Sequence, residues 1–398
     1  MPGRFIFLMC CMLLSYSLTA KTPLVKEQVQ LPACLANNIK FAHKILAENA
    51  QYKIIELNLH DLDTLSQLAE QIHCGHFVNV SHLISSESLT KRQETAAALL
   101  DKPAHARTFA GDNRLRHQKL VRKALQQIDL QAMWQTITHL SAFVNRSAFN
   151  ENGVRTAEWI KEQVDRLILE HGNKDAETFY VQTRAPYVQP SVVTVIGKSK
   201  KAPAIVIGAH MDTLGRDGMD RMPGADDDAT GSATAMEIAR ILLAADIQFK
   251  RPIYIIWYAA EERGLVGSQQ VVQDFMQKSI PVHAVLQLDM TGYRHHAKDN
   301  TMWIFTDYTN QKLNRFLAQL IKAYIKVPVA YSQCGYGCSD HASWTQEGIP
   351  ASFPCETSFE DHNPFIHTAA DGMNLLNQQH MRNYTKLGLA FAIELAAK

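Results

Sequence analysis

Asp226, Asp227 and Asp228 stand in a row inside Pro-Gly-Ala-Asp-Asp-Asp-Ala-Thr-Gly, with no Lys or Arg among them. Adjacent carboxylates repel one another, and a fold that gathers them usually does so for a positive charge supplied from outside, most simply a bound cation. One carboxylate with an oxygen on each of two ions would bridge them, leaving its neighbours to turn elsewhere. His210 and Asp212 precede the run; Glu261-Glu262, Asp289 and His367 follow it. Two residues apart on extended chain, His210 and Asp212 point to one side, so Asp212 can accept the imidazole N–H not used for metal. Of the adjacent glutamates, one can ligate while the other stays free near a bound water as general base. Asp289 ends a run otherwise too apolar to close on an acid without cause. His367 is the weakest candidate by chemistry alone, because His341 and His362 compete among 17 histidines. Taken singly, each piece fits a solvated loop or a helix cap. Together they are the inventory of a two-metal hydrolase.

The runs that must position these residues are short and apolar. Residues 191–196, 204–209, 253–260 and 284–288 read as strands buried on both faces. Ala235, Ile238, Ala239 and Leu242 repeat at the spacing of one buried helical face. This alternation predicts an α/β fold, a central twisted mixed, mostly parallel β-sheet flanked by helices. Ligands then belong on loops at the carboxyl ends of strands, where His210, Glu261, Glu262 and Asp289 all fall.

A net charge of +1 excludes a general nucleic-acid binder, and 46% apolar residues predict a sizeable core. Residues 1–20 read as a signal peptide, with Arg4 before an apolar run too short to span a bilayer comfortably. The expected location is therefore secreted, periplasmic or extracellular, without stable membrane association. Of seven cysteines, five lie beyond that segment, and an oxidising compartment favours pairing. Cys334 and Cys338 flank Gly-Tyr-Gly, a turn that could join them. Cys34 and Cys74 are the remaining pair in the N-terminal region, and Cys355 is left over. Residues 21–85 predict a small α/β unit, with helix over 34–50, strand over 53–57 and helix over 62–72. Residues 86–114 read as an exposed linker offering basic residues to a processing protease. One further domain fills 115–398.

From about residue 115 onward the chain resembles the zinc aminopeptidases of the M28 family, the secreted bacterial leucyl type in particular. The matching stretches are Gly208 to Asp212, Pro223 to Gly231, Ala259 to Glu262 with Gly264-Leu265 and Gly267-Ser268, Leu286 to Thr291, Cys334 to Trp344, and Asn363-Pro364 through Thr368. The resemblance implies two Zn2+ per chain. Asp227 would bridge them, His210 and Asp289 would complete one site, and Glu262 and His367 the other. Glu261 becomes the general base for a zinc-bound hydroxide, with Asp212 behind His210. It also implies a cis peptide after Asp227, a Cys334–Cys338 disulfide shaping the pocket, and Tyr336 placed to stabilise the tetrahedral intermediate. Met290, Phe305, Phe353, Cys355, Phe359, His362 and Ile366 would line a mainly apolar pocket for Leu, Phe or Met. Cys355 and His362 replace usual aromatics, and Glu360-Asp361 lie beside the pocket, which leaves Lys or Arg open. The N-terminal unit, with His73-Cys74-Gly75-His76-Phe77, resembles a propeptide, masking the site until a cut near residues 100–115. The implied partners are peptides with free N-termini and a processing protease, and the implied state is a monomer.

Three other functions fit the same scaffold: a single-zinc glutaminyl cyclase-like enzyme, a carboxypeptidase or amidohydrolase, and a non-catalytic peptidase-fold binding domain. Zinc, manganese and cobalt all suit the ligand types.

Overall fold

The computed structural model describes residues 25–84, 86, 88–101, 109–111, 114–215 and 219–398, and the expected signal peptide lies outside them. The N-terminal unit holds strands β1 (Lys26–Pro32), β2 (His43–Glu48), β3 (Tyr52–Asn58) and β4 (Val78–Asn79), with helices α1 (Ala33–Ala36), α2 (Leu62–Ile72) and α3 (Leu89–Leu100). Its sheet runs β2-β3-β1-β4, and every pairing is antiparallel. On β3, Ile55 and Leu57 pack with Leu62 and Leu65 of α2, while Ile54 packs with Ala96 of α3. That alternation is the period-two geometry of a strand covered on both faces.

Two sequence expectations fail here. Residues 34–50 were expected to be helical; only the four residues of α1 are, and β2 follows. Leu and Ala between long polar side chains suit a helix as well as an edge strand, and pairing with β3 decides for the strand. The expected exposed linker over 86–114 contains α3, whose Ala96 is buried against β2 and β3, and Phe109, buried beside Phe316. Its charged side chains disguised one apolar stripe.

The larger domain places β5 (Ala176–Val181), β6 (Ser191–Ile196), β7 (Ala204–His210), β8 (Ile253–Tyr258), β9 (Val282–Gln287), β10 (Met302–Phe305), β11 (Val329–Ser332) and β12 (Ala351–Cys355) in the order β11-β10-β12-β9-β7-β8-β6-β5. The central pairings β12-β9, β9-β7 and β7-β8 are parallel, as is β10-β11; the other three are antiparallel. Helices α4 (Gln118–Leu125), α5 (Leu130–Ala142), α6 (Glu151–Glu170), α7 (Gly231–Ala244), α8 (Val266–Gln277), α9 (Gln311–Leu320), α10 (His341–Gln346) and α11 (Gln378–Ala396) surround it. Ile205, Ile207 and Ala209 of β7 face the core that includes α7 and α11, whereas Val206 faces α8 and α10. A strand sandwiched this way needs apolar residues at every position, which explains its continuous apolar run. No helix among the described residues is long and apolar enough to cross a membrane.

The two units share a core. Leu62, Leu65 and Ala69 of α2 belong to one cluster with Ala260 and Val266 of the larger domain. The Arg263 guanidinium is fully buried and donates to Asp63 at 2.6 Å and to the Gly215 carbonyl at 2.9 Å. Asn79 N–H donates to the Gly264 carbonyl at 2.9 Å. Gly264 has φ +82°, and a Cβ there would lie 2.5 Å from Asn79 N, so only glycine permits this approach.

Candidate metal centre and active site

The carboxyl ends of the three central parallel strands deliver three of the five expected ligands, together with the expected base Glu261. His210 ends β7, the turn 261–263 follows β8, and Asp289 follows β9. Two further segments complete the set, the irregular turn 225–230 before α7 and the loop carrying His367. His210 Nε2 lies 2.9 Å from Asp227 Oδ1 and 3.5 Å from Asp289 Oδ1. His367 Nε2 lies 3.1 Å from Asp227 Oδ2 and 3.0 Å from Glu262 Oε2. The two oxygens of Asp227 therefore face two separate imidazole–carboxylate groups, and each group has donor atoms within 4.8 Å of one another.

The donor set fits divalent cations. Asp289 Oδ1 is buried and accepts no hydrogen bond. Burial opposes charge on both histidines, yet the carboxylates around His210 and His367 raise both pKa values well above the ordinary imidazole range. Burial likewise opposes charge on Asp227, but His210 and His367 hold its carboxyl below the usual range. Burial pushes Glu261 well up, with Asp340, Asp289 and Glu262 adding to it, and Glu262 is raised chiefly by burial too. So much crowded negative charge in a dry site is relieved by a metal ion more readily than by more protons.

The remaining Asp side chains of the run turn inward as struts. Asp228 accepts from the backbone N–H of His210 (3.1 Å), Gly231 (2.8 Å) and Met290 (3.1 Å), tying three ligand segments together. Asp226 Oδ2 accepts from Asn363 Nδ2 at 3.0 Å, and the Asp227–Asp228 peptide is cis. Asp212 takes a different part from the one expected. Its nearest oxygen is 3.6 Å from His210 Nδ1, too far for a hydrogen bond, and it instead accepts Glu261 N–H at 3.0 Å and Glu262 N–H at 3.3 Å. It orients the glutamate turn.

Three supports were not visible in the sequence. Asp371 accepts the N–H groups of Asp226 and Asp227, each at 3.1 Å. The fully buried Arg146 donates to the carbonyls of Met211 and Gly224, both at 2.8 Å. Ser339 donates to Asp289 Oδ2 at 2.6 Å. Common residue types far away along the chain carry no local signal for such contacts; only Ser339, inside the Cys334 to Trp344 match, lay in a stretch already singled out.

One cavity contains the ligands, Glu261 and the expected pocket residues Met290, Phe305, Tyr336, Phe353, Cys355, Phe359, His362 and Ile366. Cys334 and Cys338 are joined beside it, Cys34 and Cys74 are joined in the N-terminal unit, and Cys355 is a buried free thiol. The competitor His341 lies outside this cavity, fully buried against Phe353. The N-terminal unit enters the same cavity with Glu70, His73, Gly75, His76 and Phe77. Gly75 has φ +82°, and a Cβ there would lie 2.9 Å from the Tyr336 ring.

The sheet and its ligand-bearing loops define an α/β protein of the metallopeptidase class. Residues 191–392 match the family model described as Peptidase family M28. A "Probable leucine aminopeptidase" of Arthroderma otae is 35% identical over 289 residues, covering 71% of this chain and 76% of its own. The crystal structure of Legionella pneumophila LapA aminopeptidase is 56% identical with TM-score 0.89, covering 94% of this chain and 99% of that one. LapB from Legionella pneumophila is 42% identical with TM-score 0.86, covering 94% and 100%. The chain belongs to peptidase family M28.

Proposed function

We propose that this chain is an exported aminopeptidase, made as a zymogen, that releases the N-terminal residue of peptides at a centre of two zinc ions. The observation that carries the reading is the division of Asp227 between two imidazole–carboxylate groups, with Glu261 in the same cavity and outside both groups. His210, Asp227 and Asp289 would hold one ion; Asp227, Glu262 and His367 the other. Bound there, zinc supplies a Lewis acid for the scissile carbonyl and makes water a nucleophile at neutral pH. Glu261 accepts the proton of the attacking water and returns it to the leaving amine. Tyr336 lines the cavity, where its hydroxyl would donate to the oxygen that gains charge.

The pocket walls of Met290, Phe305, Phe353, Phe359 and Ile366 support Leu, Phe or Met as the first residue. Glu360 and Asp361, which kept Lys and Arg open, line a separate hollow with Trp303 and Tyr331. The relatives named above as aminopeptidases support the reaction class. Residues 70–77 projecting into the cavity support a masking role for the N-terminal unit. Because α3 packs on that unit and Phe109 in the catalytic core, we place the activating cut between Leu100 and Phe109.

The test is a panel of aminoacyl-nitroanilides, run on intact and proteolysed chain with and without chelator, alongside a zinc count. Apolar residues should be released fastest, only after cleavage, and only with metal. Full activity of the intact chain would remove the zymogen. One zinc per chain with no peptide hydrolysis would favour the cyclase reading.

A further inference from the structure

We propose that Glu70 of the N-terminal unit is a positioning residue for the second metal group: it orients His367 so that the intact chain binds its second ion before the unit is removed. The inference rests on the metal-centre reading above and adds a job for the segment that covers it.

His210 needs no outside help. It closes a central strand, its N–H is bonded to Asp228, and its carbonyl accepts from Ser232 Oγ at 2.7 Å. His367 belongs to no strand or helix and sits at φ +59°, a conformation that side chains with a Cβ rarely adopt. Its Nε2 faces Asp227 and Glu262, and its Nδ1 is buried without a hydrogen bond, with Glu70 Oε1 3.2 Å away as an ion-pair partner. The other oxygen of Glu70 faces His362 Nε2 at 3.6 Å, and His76 Nε2 lies 3.7 Å from Oε1. A carboxylate taking the free N–H of a metal-binding imidazole fixes tautomer and ring plane and raises the basicity of the ligating nitrogen.

Glu70 is itself held firmly enough for this. It lies in the last turn of α2, whose apolar face is buried against Ala260 and Val266. At the other end of α2, Asp63 grips Arg263, the residue next to Glu262. Beyond α2, the Cys34–Cys74 disulfide and the close approach of Gly75 to Tyr336 anchor the chain. One rigid segment therefore does two things. It completes the surroundings of His367, and with His76, whose ring lies nearly parallel to that of Tyr336, it fills the space a substrate would need.

The experiment is a zinc titration of metal-free intact chain, by calorimetry with a competing chelator and an elemental count, for wild type, Glu70→Ala and Glu70→Gln. In Glu70→Ala the first ion should bind as in wild type and the second about 10–100-fold more weakly, the range for losing such an orienting partner. Glu70→Gln keeps an accepting oxygen without the charge and should fall between the two. If Glu70→Ala does not fold, the Gln variant decides alone, and an unweakened second ion there overturns the proposal. So does equal weakening of both ions, which would mean general loss of structure. A third ion that Glu70→Ala removes would also overturn it, making Glu70 a ligand with His76 and His367. Wild-type chain that binds no ion would sink the metal-centre reading itself, a result distinct from all of these.

Discussion

The two imidazole–carboxylate groups proposed to hold metal are built on different supports. The His210–Asp289 half stands on adjacent central strands, with Asp228 tying its backbone and Ser339 gripping Asp289. The Glu262–His367 half stands on a turn and a loop, and both are touched by the N-terminal unit, through Asp63 on Arg263 and Glu70 on His367. A parallel sheet supplies rigid strand ends wherever the catalytic domain folds, whereas a loop ligand needs a neighbour to settle its orientation. One half is intrinsic to the catalytic domain; the other is shared with the segment above it.

Substitutions can break that contrast or sharpen it. Asp227→Ala removes the carboxylate common to both halves and should abolish tight binding of both ions together with all measurable hydrolysis; retention of one tight ion would show the halves to be independent. Glu261→Gln should cost about 10^2–10^4-fold in kcat while leaving the zinc count unchanged, because the proposed base lies outside both candidate ligand groups. Asp63→Ala leaves Arg263 buried without its carboxylate and should destabilise the intact chain by about 3–5 kcal/mol. Denaturant melts of the intact chain would read this loss, and a zinc titration should find the first ion unaffected. Ser339→Ala should cost least, about 1–3 kcal/mol or less, as an unsatisfied Asp289 oxygen, and should weaken only the first ion. Weakening of the second ion instead would reverse the assignment of halves.

The fold was readable where burial leaves little choice. The runs at 191–196 and 204–209 became β6 and β7 within one residue, because two covered faces demand apolar residues throughout. The N-terminal unit was harder. His43–Glu48 buries only Leu46, so its pattern carries too little information to exclude a helix. Within the site, His210, Glu261, Glu262 and Asp289 were placed by their positions after predicted strands. His367 rested on resemblance alone, since a loop histidine has no period to read.

By itself, the sequence determined the acidic candidates and the strand ends that would carry most of them, because carboxylate repulsion and apolar runs are properties of neighbouring residues. Tertiary structure alone decided that Asp228 ties three ligand segments together, that Asp212 accepts the N–H groups of the glutamate turn, and that Glu70 arrives beside His367. Those outcomes depend on distances between segments tens to hundreds of residues apart, which chain folding sets and local composition does not record.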